Sequence, residues 1–540
     1  MDLSQGRWLI AALAATLTAS VPRVSVAAEA RMIIASVSFA RAPQGSYRGV
    51  VEDQINVFRG IAYADPPVGD WRWRPPRERS TSQDVQDATK FGAICPQGIS
   101  EGYRGFLSGR KQSEDCLTLN VWSSARSAGE RRPVMVFLHP GSFLSGSGSF
   151  DAFDGRSLAR GGVVLVTLNY RLGVFGFFAH PALTREATPE EPLASFALMD
   201  QIAALRWVQR NIAAFGGDPA NVTIFGMSAG GQSVNYLMAT PAARGLFHRA
   251  ISESSAVFMF KPYRLQEPSG TKSSYEAIGS QLAGSFKIGD AADTPRRLRS
   301  LSTQDLLAYQ AKHMVGAVYA FEPVIDGRLL RRGLGETFAR GEEAPVPYVA
   351  GATDWEGSLV SGRNIANAEP MLQVLSMSRS EAHRLHGDIA DPMLVERLQT
   401  DSFLGSQRWL VRRHAQNGHA AWLYFFSYVL EAHRKEFPGA PHGAEARYVF
   451  GTLDGLARVQ DRPMGTRISP ADRAMAATVA GYWIGVARRG DPNGEGRPAW
   501  PTYLPAQDVT LELGAEIQAR PDLLGERMRF MEARFDAGDL

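Results

Sequence analysis

A serine within Gly226-Met227-Ser228-Ala229-Gly230 is the residue of this chain whose setting most directly suggests chemistry. The G-x-S-x-G pentapeptide is common by itself. Here it lies between a strand-like run at 221–225 and a helix-like run from Ala229, the strand, turn and helix order that a nucleophile elbow needs. Such a turn is strained and crowded, so glycines beside it let Ser228 project its hydroxyl. The following helix N-terminus adds partial positive charge. The plainer alternative is a Ser-Gly turn that merely caps a helix.

A serine hydroxyl is a weak nucleophile at neutral pH and needs a histidine base, itself oriented by an acid. In an elbow of this kind the acid and then the histidine follow the serine in the chain. His383 and His386 lie in one charged helix-like stretch and His414 and His419 in another, where solvated surface is the expected role. His442 differs: Pro438-Gly439-Ala440-Pro441-His442-Gly443 is a loop just past a strand-like run at 421–429, a position that catalytic groups favour. For the acid, both Asp354 and Glu356 follow the strand-like run 346–350, and spacing does not choose between them. Donors for an oxyanion are expected from His139-Pro140-Gly141-Ser142-Phe143, after the apolar run 134–138, and from the N–H of Ala229.

These residues need a scaffold that brings four distant segments to one edge. Run 134–138 is apolar throughout and run 163–168 is apolar but for Thr167, as strands buried on both faces are. Leu198, Ile202, Leu205, Val208 and Ile212 recur at helical spacing, and Gly216-Gly217-Asp218-Pro219 closes that helix. Alternating strands and helices predict a large, mostly parallel α/β sheet flanked by helices. Residues 256–345 read as an insertion over one end of the sheet, and no repeat or long linker divides the chain.

Composition sets the outer bounds. The 540 residues are 44% apolar, enough for a large core, which excludes disorder as the main state. Lys and Arg number 58 against 55 Asp and Glu, a net +3, so no single-sign field points to nucleic acid or an anionic membrane. Arg7, the uncharged run 8–21 and small residues near Ala27 predict a signal peptide over 1–27, with 28–540 as one exported domain. Losing Asp2, Arg7 and Arg23 would leave a charge of +2. No later run is long and apolar enough to span a bilayer. Cys95 and Cys116 are the only cysteines, and in an exported chain two such thiols favour a disulfide, worth about 3 kcal/mol by loop entropy. No H-E-x-x-H or C-x-x-C cluster suggests a metal, and no organic cofactor is implied. Asn221-Val222-Thr223 fits a glycosylation sequon but enters a core strand, so it reads as unmodified.

Further motifs extend the pattern along nearly the whole mature chain. Phe58-Arg59-Gly60-Ile61-Ala62-Tyr63-Ala64, Glu114-Asp115-Cys116-Leu117-Thr118-Leu119-Asn120-Val121-Trp122, Asn169-Tyr170-Arg171-Leu172-Gly173, Ala213-Ala214-Phe215-Gly216-Gly217-Asp218-Pro219 and Gly490-Asp491-Pro492-Asn493-Gly494 occur in order. With these the chain resembles the type-B carboxylesterase family, the cholinesterase-like α/β-hydrolases. The resemblance implies the α/β-hydrolase fold, an acyl-enzyme ester hydrolase, and a triad of Ser228, Glu356 and His442. It selects Glu356 as the acid because the family's glutamate precedes a glycine, and His442 because it opens His442-Gly443-Ala444-Glu445. It also implies an oxyanion hole of Gly141, Ser142 and Ala229, a Cys95–Cys116 bridge, and a structural Arg171–Asp200 ion pair.

Three departures from the family pattern shape the expected substrate. Pro140 and Ser142 replace glycines of the H-G-G-G-F turn; Pro140 has no N–H to lose from the hole, and the Ser142 Cβ is expected to crowd the turn. Met227 replaces a glutamate, and the loop between the cysteines holds Tyr103 and Phe106 but no tryptophan, so neutral or apolar esters are favoured over cationic ones. The stretch Ala194–Gln201 departs without mechanistic consequence. Two other readings stand beside the esterase: a catalytically silent binding or adhesion protein, and an esterase-fold amidase or carbamate hydrolase.

Overall fold

The computed structural model describes residues 37–98, 107, 109–256, 261–270, 272–313, 321–458 and 466–537. The expected signal peptide at 1–27, and Tyr103 and Phe106, lie outside these residues.

The apolar runs become the middle of a thirteen-stranded sheet. Its strands are β1 (Val37–Ala42), β2 (Gly45–Glu52), β3 (Ile55–Ala62), β4 (Val85–Asp87), β5 (Thr118–Ser123), β6 (Arg132–Leu138), β7 (Val164–Leu168), β8 (Gly217–Met227) and β9 (Arg249–Glu253). After a separate pair, β10 (Tyr263–Arg264) with β11 (Val324–Ile325), it is completed by β12 (Tyr348–Thr353), β13 (Ala421–Phe426), β14 (Val509–Leu513) and β15 (Ile517–Pro521). The order is β1-β2-β3-β5-β7-β6-β8-β9-β12-β13-β14-β15, with β4 beside β2. From β7 to β14 neighbours are parallel; the two ends of the sheet are antiparallel except that the short β4 runs parallel to β2.

The side-chain period of two splits each central strand between two cores. Val134, Val136 and Leu138 of β6 enter one apolar layer, while Met135 and Phe137 enter the other. Val222 and Ile224 of β8 join the first and Phe225 the second. Helix Phe196–Asn211 covers the first face through Leu198, Ile202, Leu205 and Val208, all buried. Helix Pro470–Arg489 covers the second through Val479, Trp483 and Val486.

Several boundaries differ from expectation for local reasons. β12 starts at Tyr348 rather than 346 because Pro347 has no N–H for the ladder, and it runs on to Thr353 while β13 pairs with it through Phe426. β13 ends at Phe426, not 429. The helix expected to stop at Gly216 finishes in a 3-10 turn, Ile212–Phe215, and β8 begins at once at Gly217. Cys95 and Cys116 are joined by a disulfide, with Cα atoms 5.1 Å apart. Arg171 and Asp200 form a buried pair at 2.7 Å. His386 and His414 are not solvated surface: both are buried, His386 beside Asp401 at 3.2 Å and His414 between Glu343 and the Val346 carbonyl. No described helix is long and apolar enough to cross a membrane.

Candidate active site

Ser228 stands where β8 turns into helix Ala229–Ala239, at φ 58° and ψ −122°, a conformation that costs a non-glycine residue of order 1–3 kcal/mol. Its own N–H is held by the Glu253 carbonyl at the end of β9, and its carbonyl accepts the first turn of the helix from Gln232. The turn is so close to β6 that a Cβ on Gly230 would come within 1.9 Å of the Leu138 carbonyl oxygen. Glycine at 230 is therefore what lets the helix start so near the strand end.

After β6 the chain makes the His139–Phe143 turn, in which Gly141, Ser142 and Phe143 all take positive φ. A Cβ on Gly141 would lie 1.9 Å from the Ser145 carbonyl oxygen, so only glycine fits there. The turn is tied to itself by the N–H groups of Leu144 and Ser145, which donate to the Gly141 carbonyl. Below it, His139 is fully buried and stacked on Tyr170, and burial lowers its imidazole pKa to about 4, so it is neutral. The Cβ of Ser142 does not crowd the turn, because the residue is exposed toward a cavity it shares with Ser228 and Ala229.

Glu356 begins a 3-10 turn just past β12 and is fully buried. Its Oε1 accepts the Thr353 N–H at 2.8 Å, and its Oε2 takes a short hydrogen bond from Nδ1 of His442. Burial disfavours the charged imidazole, but attraction to Glu356, the hydrogen bond to it and the nearby Glu445 outweigh that, so the His442 pKa lies above its usual value. The His442 N–H donates to Ser358 Oγ, and the Phe403 ring meets the imidazole edge-on at 5.4 Å. Asp354, the other acid open from spacing, is turned away from the imidazole: its Oδ1 accepts the Ala440 N–H at 2.6 Å and so anchors the loop that carries His442. Met227, just before Ser228, abuts the loop from the other side, since a Cβ on Gly443 would touch its terminal methyl at 2.4 Å. Thus the structure brings the Ser228 turn and the His442 loop together, with Glu356 behind.

Two further acids lie beneath this group, and periodicity offered no signal for them. Glu445 is buried, accepts from Ser254 Oγ and from the Tyr424 hydroxyl, and burial with the nearby Glu356 raises its pKa to about 7. Glu253 is buried, accepts from Trp483 Nε1 at 2.6 Å, and burial with the nearby Glu445 raises its pKa to about 8.

The Pro140–Ser142 turn separates two cavities. One, of about 490 Å³, is lined by Ser142, Phe143, Ser228, Ala229, Gln232 and Tyr236 together with parts of the inserted segment. The other, of about 610 Å³, is lined by Pro140, Met227, His442 and Gly443 with Phe150, Phe153, Trp355, Tyr428, Phe437 and Tyr448 among its walls. Among the described residues no carboxylate lines the second cavity.

The sequence profile of the carboxylesterase family matches residues 37–388 and 390–531, almost everything described. The chain belongs to the carboxylesterase family. This carboxylesterase is 34% identical over 498 residues to the para-nitrobenzyl esterase of Bacillus subtilis (strain 168), spanning 89% of this chain and 96% of that one. It is 32% identical to the fumonisin B1 esterase of Sphingopyxis macrogoltabida, over 85% of this chain and 83% of the relative. It is 31% identical to liver carboxylesterase 1 of Oryctolagus cuniculus, over 88% of each. Among solved structures, a PNB esterase superposes with a TM-score of 0.80 at 30% identity, covering 92% of this chain and 99% of that one. A Geobacillus stearothermophilus carboxylesterase does so with a TM-score of 0.78 at 30% identity, covering 91% and 99%. The carboxylesterase is accordingly a carboxylic ester hydrolase of the α/β-hydrolase fold, and its substrates are small-molecule esters.

Proposed function

We propose that Ser228, His442 and Glu356 carry out this ester hydrolysis through an acyl-enzyme. His442 Nε2 takes the Ser228 proton as Oγ attacks the ester carbonyl, and the N–H groups of Gly141, Ser142 and Ala229 receive the oxyanion. The charge on the imidazole is offset by buried Glu356. Collapse breaks the bond to the alcohol oxygen, which leaves with the proton from His442. A water deprotonated by the same imidazole then adds to the acyl carbonyl, and Ser228 regains the proton as the acid departs. The observation that carries the reading is the Glu356–His442 hydrogen bond formed beside a strained serine turn.

The leaving oxygen must lie within reach of His442, so the alcohol half belongs in the cavity lined by His442 and Met227, and the acyl half beside Ala229. The aromatic, carboxylate-free wall of the first supports neutral or apolar alcohols over cationic ones. Export of a 28–540 domain after removal of 1–27 is supported by the Cys95–Cys116 disulfide, which persists in oxidising compartments.

The test is hydrolysis of p-nitrophenyl esters from acetate to long acyl chains by the mature protein and by Ser228→Ala. Activity that falls by about 10⁴-fold or more in the variant is expected. Folded wild type inert toward every ester would overturn the reading in favour of a silent binding protein. A faster reaction with the amide than with the ester of one acyl group would favour an amidase.

A further inference from the structure

The acyl-side cavity ends in polar chemistry that ester hydrolysis itself does not use. On helix Ala229–Ala239, residues 229, 232 and 236 share one face, and the seven steps from Ala229 to Tyr236 rise about 10 Å along the axis. Tyr236 is 5% exposed, lines the cavity, and its hydroxyl has no hydrogen-bond partner among the described residues. Glu322 lines the same cavity while 7% exposed. Its Oε1 takes the Lys272 ammonium at 2.9 Å, and Lys272 in turn sits over the Tyr263 ring at 4.0 Å. Its Oε2 has no described partner. Burial pushes the Tyr236 phenol well above its usual range, and the charge of the Glu322 carboxylate adds to this.

A buried ion pair does little for stability that an apolar pair would not do as well. A buried carboxylate oxygen and a buried phenol left open to a cavity, by contrast, lose free energy until something hydrogen-bonds to them. Because Lys272 already balances Glu322, the matching group is neutral, donating to the carboxylate and accepting from the phenol. A hydroxyl does both.

We infer that the acyl group of the preferred substrate bears a hydroxyl remote from its carbonyl, bound by Glu322 Oε2 and the Tyr236 hydroxyl. This inference rests on the esterase reading of Ser228 and on the assignment of the acyl half to that cavity.

The test compares p-nitrophenyl esters of straight-chain acids, from butyrate to decanoate, with their ω-hydroxy counterparts. The wild type is expected to show, at one or two chain lengths, a kcat/KM about tenfold or more higher for the hydroxy ester, the worth of one or two buried hydrogen bonds. Tyr236→Phe removes one oxygen and should cut the ratio severalfold; Glu322→Gln keeps the shape and should lower it too, with an ω-carboxy ester, repelled in the wild type, gaining in relative rate. Equal kcat/KM for hydroxy and plain esters at every length, with Ser228-dependent hydrolysis intact, overturns the inference alone. A preference that survives both variants overturns it as well. No hydrolysis of any ester overturns both this and the esterase reading.

Discussion

The cavity beside Ser228 and the cavity beside His442 are of similar size but are built from different parts of the chain. The His442 side is made of loops that leave the sheet itself, around β6, β12 and β13, and is walled by aromatic side chains and Met227. The Ser228 side is closed largely by the inserted segment, with Lys261, Arg264, Ser269, Glu322 and Glu336 among its walls, and by Arg413 and Asp536 from two late helices. The Pro140–Ser142 turn is the partition between them. Under the proposed assignment the sheet-end residues set the chemistry and the leaving-group side, while the insertion together with Tyr236 sets what the acyl side recognises, and changes in the two should be separable.

Changes to the shared machinery should leave the comparison flat. Glu356→Gln removes the charge that orients and supports His442 and is expected to lower kcat by about 10⁴-fold for acyl-varied and alcohol-varied esters alike. A loss confined to one series would break the two-sided account. Gly141→Ala forces a Cβ to within 1.9 Å of the Ser145 carbonyl and displaces the expected oxyanion donors. A fall in kcat of about 10²–10³-fold, again equal across both series, is expected from steady-state rates of the folded variant, with a lowered Tm from the displaced turn.

Met227→Glu should instead tilt the comparison. The new carboxylate would face the His442-side cavity, raising kcat/KM for esters of cationic alcohols relative to neutral ones by about fivefold, the equivalent of ~1 kcal/mol. The acyl-chain profile should not move. An unchanged or lowered alcohol ratio would count against the assignment of that cavity to the leaving group.

The smallest effect is one of stability. Glu253 has a pKa of about 8 in the fold, against an ordinary carboxylate value when unfolded. Between the two, folding takes up a proton, so the contribution is fully present below the unfolded pKa and is lost as pH rises toward 8. Glu253→Gln keeps an acceptor for Trp483 without a proton to lose, and its Tm should fall less steeply between pH 6 and pH 9 than that of the wild type. Parallel curves would show that Glu253 ionises normally.

The sheet-end side was also the more legible in sequence. Run 134–138 is buried on both faces, so its apolar continuity marks it directly, run 221–225 carries the buried Val222, Ile224 and Phe225, and the turns that follow both runs carry glycines whose lack of a Cβ is enforced by contacts of 1.9 Å. The choice between Asp354 and Glu356 was not legible from spacing, because both follow β12 and only the fold turns one toward His442 and the other toward Ala440. His386 and His414 read as surface because their neighbours in sequence are charged, whereas their burial comes from Asp401, Glu343 and Val346, brought up by tertiary packing. Glu322 and Lys272 were illegible for the same reason. They are 50 residues apart in an insertion without periodicity, and only the fold pairs them.

The most direct test of the central claim is covalent trapping. The mature protein would be treated with an organophosphonate ester, its residual activity followed, and the modified peptide identified by mass spectrometry. The account predicts one phosphonyl adduct, on Ser228, with activity lost in proportion to labelling and no adduct in Ser228→Ala. Labelling at another serine in step with inactivation, or full activity with Ser228 modified, would contradict it.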